Sequence, residues 1–195
     1  MAGRLTGKRI AALVDTGFEQ VELTEPMKAL QAEGATVEVV SPQKDKVRGW
    51  QHTDWGGDVT VDVPLEQARG DHYDALLLPG GVMSPDRLRM NLEAVEFVRS
   101  FVRAQKPIAA ICHGPWTLVE AGAVKGRRVT SWPSLETDLR NAGAEWLDEP
   151  VVVDRGLVTS RQPDDIPAFN ARAIEAFAEG TRGRTQPREH AAARA

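Results

Sequence analysis

Short apolar runs recur along the chain, and most alternate with segments of helical periodicity. Lys8-Arg9-Ile10-Ala11-Ala12-Leu13-Val14 reads as a first buried strand and Thr36-Val37-Glu38-Val39-Val40-Ser41 as a second. Between them the apolar positions Val21, Leu23, Met27, Ala29 and Leu30 follow a helical spacing that ends at Gly34, a residue suited to a helix C-terminus. This β–α–β opening predicts a parallel sheet with a right-handed crossover. Tyr73 to Leu78 and Ile108 to Ile111 are continuous apolar runs, as expected of strands covered on both faces.

The remaining pattern is less regular. From Pro42 to Gly57 the periodicity breaks, and Lys44 to Gly49 reads as a solvated turn. Trp50, His52 and Trp55 follow, as a loop held down by its own tryptophans. Val59, Val61 and Val63 alternate with polar residues, which suggests a half-exposed strand or hairpin arm. A long amphipathic helix is expected from Ser84 to Val102, a second from Trp116 to Ala121, a third from Pro133 to Asn141 and a closing one from Pro167 to Phe177. Arg127 to Trp132 reads as a short strand, and Pro150 to Ser160 as a hairpin turning at Asp154-Arg155-Gly156. The expectation is one domain over residues 1–180 and a frayed, arginine-bearing tail over 181–195.

Bulk composition narrows the class. A length of 195 residues suits one domain with a proper core, and 42% hydrophobic with 27% charged residues is ordinary for a soluble protein. The net charge of −4 argues against a general nucleic-acid binder, which needs a basic face for phosphates. One cysteine excludes an internal disulfide and fits a reducing compartment. No apolar run approaches membrane-spanning length and the N-terminus lacks the apolar core of a signal peptide, so a cytoplasmic location is expected. The four histidines, His52, His72, His113 and His190, have no ligand spacing, and Leu-Pro-Gly-Gly lacks the dinucleotide glycine pattern. No metal or other cofactor is therefore expected.

The candidate chemistry sits at Ile111-Cys112-His113-Gly114-Pro115. A strand that stops at the single cysteine and turns through Gly-Pro into a helix lifts that side chain off the carboxyl end of the sheet. Beside a helix N-terminus, a thiol is expected to have a lowered pKa and to act as a nucleophile. The pair Gly80-Gly81 ends another central strand, where backbone N–H groups can approach a ligand closely.

With these stretches in view, the chain resembles the ThiJ/PfpI superfamily, in its PfpI-like branch. The likeness runs from about Lys8 to Ala178. It is carried by Asp15-Thr16-Gly17-Phe18-Glu19-Gln20-Val21-Glu22-Leu23, Leu78-Pro79-Gly80-Gly81 and Ala109-Ala110-Ile111-Cys112-His113-Gly114-Pro115. The resemblance implies a flavodoxin-like α/β three-layer sandwich with a mainly parallel sheet, related to class I glutamine amidotransferases. It implies Cys112 as nucleophile and Glu22 as the carboxyl at its sulfur, with Glu19 on the same helical face. It gives His113 a backbone N–H for an oxyanion hole with Gly81, and an imidazole that serves as base or orienter. Asp86 matches an acid that enters a neighbouring subunit's site in the family, although its loop is one residue longer and its side chain shorter than usual. Trp132 stands where relatives place Tyr and is expected to wall the pocket. A homo-oligomer, a dimer or larger, is implied.

The function so expected is glyoxalase- or deglycase-type hydrolysis of methylglyoxal adducts, with a small aldehyde or glycated amine as substrate. A PfpI-type peptidase and a non-catalytic redox-sensing or chaperone-like stress protein are the alternatives. An amidotransferase is disfavoured, because the only histidine after His113 is His190 in the tail.

Overall fold

The computed structural model describes residues 3–181; the tail expected over 181–195 lies outside it beyond Thr181. In chain order the strands are β1 Arg9–Leu13, β2 Phe18–Glu19, β3 Thr36–Ser41, β4 Lys46–Gln51, β5 Asp54–Thr60 and β6 Val63–Pro64. They continue with β7 Ala75–Leu78, β8 Ile108–Ile111, β9 Arg128–Val129, β10 Glu145–Trp146, β11 Val151–Asp154 and β12 Leu157–Ser160. The helices are α1 Gln20–Ala32, α2 Met83–Met90, α3 Leu92–Arg103, α4 Pro115–Glu120, α5 Glu136–Asn141 and α6 Ile166–Glu179.

Seven strands form the central sheet in the order β11-β12-β8-β7-β1-β3-β6. Every neighbouring pair is parallel except β11 and β12, which form the antiparallel hairpin expected around Asp154-Arg155-Gly156. Because side chains alternate across a strand, the sheet feeds two cores. Ala11, Leu13, Leu76, Leu78, Ile108 and Ala110 pack on one face with Val95, Val98 and Phe101 of α3, Leu118 of α4 and Leu139 of α5. Ile10, Ala12, Leu77, Ala109 and Ile111 pack on the other with Leu23 and Leu30 of α1 and Phe169 and Phe177 of α6. The result is the three-layer α/β sandwich with a mainly parallel sheet.

Three local expectations are corrected. The helix expected from Ser84 to Val102 is two helices, broken where the Asn91 side chain accepts from the N–H groups of Glu93 and Ala94 at 2.9 and 3.1 Å and so caps α3. Lys44 to Gly49 is not simply a solvated turn: Lys46 to Gln51 is strand β4, paired antiparallel with β5. Residues 130–132 leave strand conformation, and β9 pairs with β10 in a separate two-stranded ribbon. The β4–β5 arm joins β2 in a third small sheet, at the start of α1. Gln20 fastens it there, accepting from the Gly57 N–H at 2.6 Å in a slot that side chains on Gly49 or Gly56 would fill.

Candidate active site

Strand β8 ends at Ile111, and Cys112 turns the chain with φ +61°, a left-handed conformation that a non-glycine residue adopts at a cost of about 1–3 kcal/mol. Neighbouring backbone holds it there. The Cys112 N–H donates to Ser160 O at 3.0 Å, its carbonyl accepts from Trp132 N–H at 3.0 Å, and Gly114 N–H closes the turn on Ile111 O at 2.8 Å. Gly114 is required at this corner, since a Cβ would lie 2.4 Å from the Leu78 carbonyl oxygen.

The sulfur meets three kinds of group. The backbone N–H groups of Gly81 and His113 both point at it, the arrangement an oxyanion hole needs. His113 Nδ1 lies 3.2 Å from Sγ. The Glu22 carboxyl stands close enough that it and the thiol shift each other's titration. Glu22 is fully buried; its Oε2 accepts from the Gly80 N–H at 2.9 Å, and its Oε1 has no partner of normal hydrogen-bond geometry. Gly80 is the residue whose absent side chain lets these groups meet. A Cβ there would lie 2.5 Å from Glu22 Oε2 and 2.6 Å from Cys112 Cβ. Its N–H is already committed to Glu22, so Gly81 and His113, and not Gly80, offer N–H groups to a reacting oxygen.

Charge follows from burial. Removal from water pushes Glu22 up to about 8, against an opposing hydrogen bond from Gly80, so its carboxyl is neutral at pH 7. Burial pushes the Cys112 thiol well above its ordinary range, and a charge on Glu22 would push it further. This corrects the expectation of a thiol lowered by the helix end: the two N–H groups favour the thiolate, but burial outweighs them. His113 is pushed down to about 4 by burial, which leaves it neutral. Its ring lies between Trp132, stacked at 6.1 Å, and Trp116, edge-on at 5.2 Å. The resting site is therefore uncharged at the sulfur. Glu22 and Cys112 titrate as a pair: a charge on the carboxyl raises the thiol further, so the pair keeps its second proton once the first has left.

A cavity of about 340 Å³ opens over Cys112, walled by Glu19, Glu22, Trp50, Gly81, Val82, His113 and Trp132, with His52 and Pro163 completing it. The structure thus brings Cys112, His113, Glu22, Glu19, Gly81 and Trp132 to one place. Glu19 ends β2 just before α1, so the two carboxyls share the cavity without sharing a helical face. Asp86 is exposed in the first turn of α2 and does not line this cavity. Sequence reasoning missed Val82 and Pro163 as wall residues, and favoured a self-packed loop where Trp50 and His52 reach the pocket from the β4–β5 arm. A tighter cavity of about 190 Å³ near Lys106, Arg127 and Arg155, at the other end of β8, has no thiol, hydroxyl or carboxyl side chain in its wall.

Comparison with known proteins gives the family. The chain is 45% identical over 170 residues to general stress protein 18 of Bacillus subtilis, spanning 86% of this chain and 96% of that protein. It is 43% identical over 169 residues to protein/nucleic acid deglycase 2 of Escherichia coli, spanning 86% and 96%. The crystal structure of Drosophila melanogaster DJ-1beta superimposes with a TM-score of 0.80 at 28% identity, covering 88% of this chain and 90% of that one. Among the described residues no helix is long and apolar enough to cross a membrane. The model of the DJ-1/PfpI family matches residues 8–176, a span that contains every side chain of the cavity, and the chain belongs to that family.

Proposed function

We propose that the protein is a cysteine-dependent deglycase that releases amines from methylglyoxal adducts. The observation that carries the reading is the single cysteine held at φ +61° under two N–H groups, beside a buried, neutral carboxyl. The Cys112 sulfur attacks the carbinol carbon of R–NH–CH(OH)–CO–CH3; a C–S bond forms, the C–N bond breaks, and the amine leaves with the thiol proton. Transfer of the proton on that carbon to the neighbouring carbonyl carbon, by way of an enediol, converts the hemithioacetal into a thioester of lactate. Glu22 and His113, the titratable groups beside the sulfur, carry the proton, and the N–H groups of Gly81 and His113 hold the developing oxyanion. Water then hydrolyses the thioester, giving lactate and free thiol, so adduct plus water becomes amine plus lactate with no external oxidant or reductant.

Free methylglyoxal enters the same sequence by addition of sulfur to its aldehyde carbon. In a homo-oligomer the exposed Asp86 would reach a neighbour's His113, as the family resemblance implies. The test is lactate release from methylglyoxal adducts of N-acetylated amino acids. Turnover is expected in the wild type, with a fall of about a hundredfold or more in Cys112→Ala. Equal rates in both proteins, or cleavage of peptides without lactate release, would overturn the reading.

A further inference from the structure

We infer that the Cys112 cavity selects cationic over anionic reactants, with Glu19 as the specificity-determining acid in a wall it shares with Trp50 and Trp132. The inference takes the cavity to be the substrate site and narrows the substrate to adducts on guanidinium- or ammonium-bearing chains. Adducts on phosphate-bearing nucleotides, and acids such as glyoxylate, are then poor substrates.

Glu19 is a fixed and incompletely satisfied acid. Its backbone N–H donates to the Gly80 carbonyl at 3.1 Å, and its Cα pairs with that of Trp50 across β2 and β4. Its side-chain oxygen Oε1 is buried without a hydrogen-bond partner, although the carboxyl belongs to the wall of an open cavity. A guanidinium or ammonium beside this carboxyl is held by its charge, whereas an anion there is repelled. Burial raises the Glu19 pKa against a backbone hydrogen bond from His52, so it is a neighbouring cation that would favour the ionised form.

The rest of the wall points the same way. Trp50 is fixed by its Nε1–H donating to His52 O at 2.8 Å and by edge-on packing against Trp55 at 5.4 Å. Trp132, 39% exposed, belongs to the same wall and stacks on His113. Indole faces attract cations, more so where water is partly excluded. Among the described residues no Lys or Arg lines the cavity, so an anion would meet the Glu19 carboxyl with no lysine or arginine beside it.

Because Cys112 is the only cysteine, its labelling reads the cavity directly by intact mass. Two methanethiosulfonates of similar size, one trimethylammonium and one sulfonate, would be compared on the full chain. Each transfers its thioalkyl group to sulfur and releases methanesulfinate. With rates divided by those of N-acetylcysteine amide, the cationic reagent is expected to be preferred by about tenfold or more at low salt. The preference should shrink several-fold in 1 M salt, in Glu19→Gln and, less, in Trp132→Leu. A wild-type ratio near one, or a preference that persists unchanged in Glu19→Gln and in 1 M salt, would overturn the inference. Should Glu19→Gln fail to fold, the salt series and Trp132→Leu decide. Charge preference without lactate release removes the deglycase reading and leaves this inference standing; lactate release without charge preference does the reverse.

Discussion

Glu22→Gln is expected to melt at a higher temperature than the wild type while turning over about a hundredfold more slowly. The carboxyl ionises near 4.5 in an exposed chain but is pushed up to about 8 in the folded protein. Between those values the native state keeps a proton that the unfolded state has lost, so stability falls as pH rises. The contribution of the neutral carboxyl is complete below about pH 4.5 and is lost as pH climbs through about 8. At pH 7 the cost has an upper limit of about 3 kcal/mol. Glutamine avoids it: its amide oxygen accepts from Gly80 N–H as Glu22 does, and its NH2 has no proton to lose. The gain corresponds to a melting temperature higher by about 5 °C or more, and the fall in stability between pH 5 and 8 should flatten. The same substitution removes a proton carrier from the sulfur, for which a loss of about a hundredfold in kcat is the ordinary scale. Calorimetry across that pH range together with lactate release measures both. A variant less stable than wild type at pH 7, or equally active, would contradict the assignment of Glu22 as a buried neutral acid.

Gly80→Ala is expected to harm the site more than any other single-methyl change. The new Cβ would sit 2.5 Å from Glu22 Oε2, 2.6 Å from Cys112 Cβ and 2.8 Å from Ile111 O. Ile111 O is backbone and Cys112 Cβ is fixed at the corner, while Glu22 Oε2, though it ends a side chain, is fully buried and bound to the Gly80 N–H. Either Glu22 gives up the Gly80 N–H or the cysteine corner moves, and both separate carboxyl from sulfur. A displacement of about 1 Å between reacting groups costs about a hundredfold in rate, and overpacking a core costs about 1–3 kcal/mol in stability. The expected pair of results is turnover down about a hundredfold or more and a melting temperature lower by several degrees. Wild-type turnover in Gly80→Ala would show that the contact between Glu22 and Cys112 is not needed.

The central sheet was legible because its strands carry the signal in their own residues. Ile108 to Ile111 and Ala75 to Leu78 are apolar at every position, and both faces are covered. The cysteine corner was legible for a similar reason, since a short apolar strand followed by Cys-His-Gly-Pro leaves the chain few ways to turn. The break between α2 and α3 was hidden because Leu88, Leu92 and Val95 keep helical spacing across Asn91, which reveals itself as a cap only once its side chain is seen to accept two N–H groups. The β4–β5 arm was hidden by its glycines and charges. What fixes it is Gln20, far away in sequence, inserted against Gly49, Gly56 and Gly57. The electrostatics were misjudged at Cys112 for one physical reason. The sequence places a helix end beside the thiol, whereas depth of burial and the neighbouring carboxyl come from tertiary packing, and these outweigh it.

The most direct measurement is the titration of Glu22 itself. With carboxyl-labelled glutamate, carbon-13 NMR of the wild type compared with Glu22→Gln isolates its resonance. The resonance should move at about 8, and the Cys112 alkylation rate should rise only at higher pH, because the ionised carboxyl pushes the thiol further up. A Glu22 carboxyl that titrates near 4.5, as an exposed one does, would contradict the account.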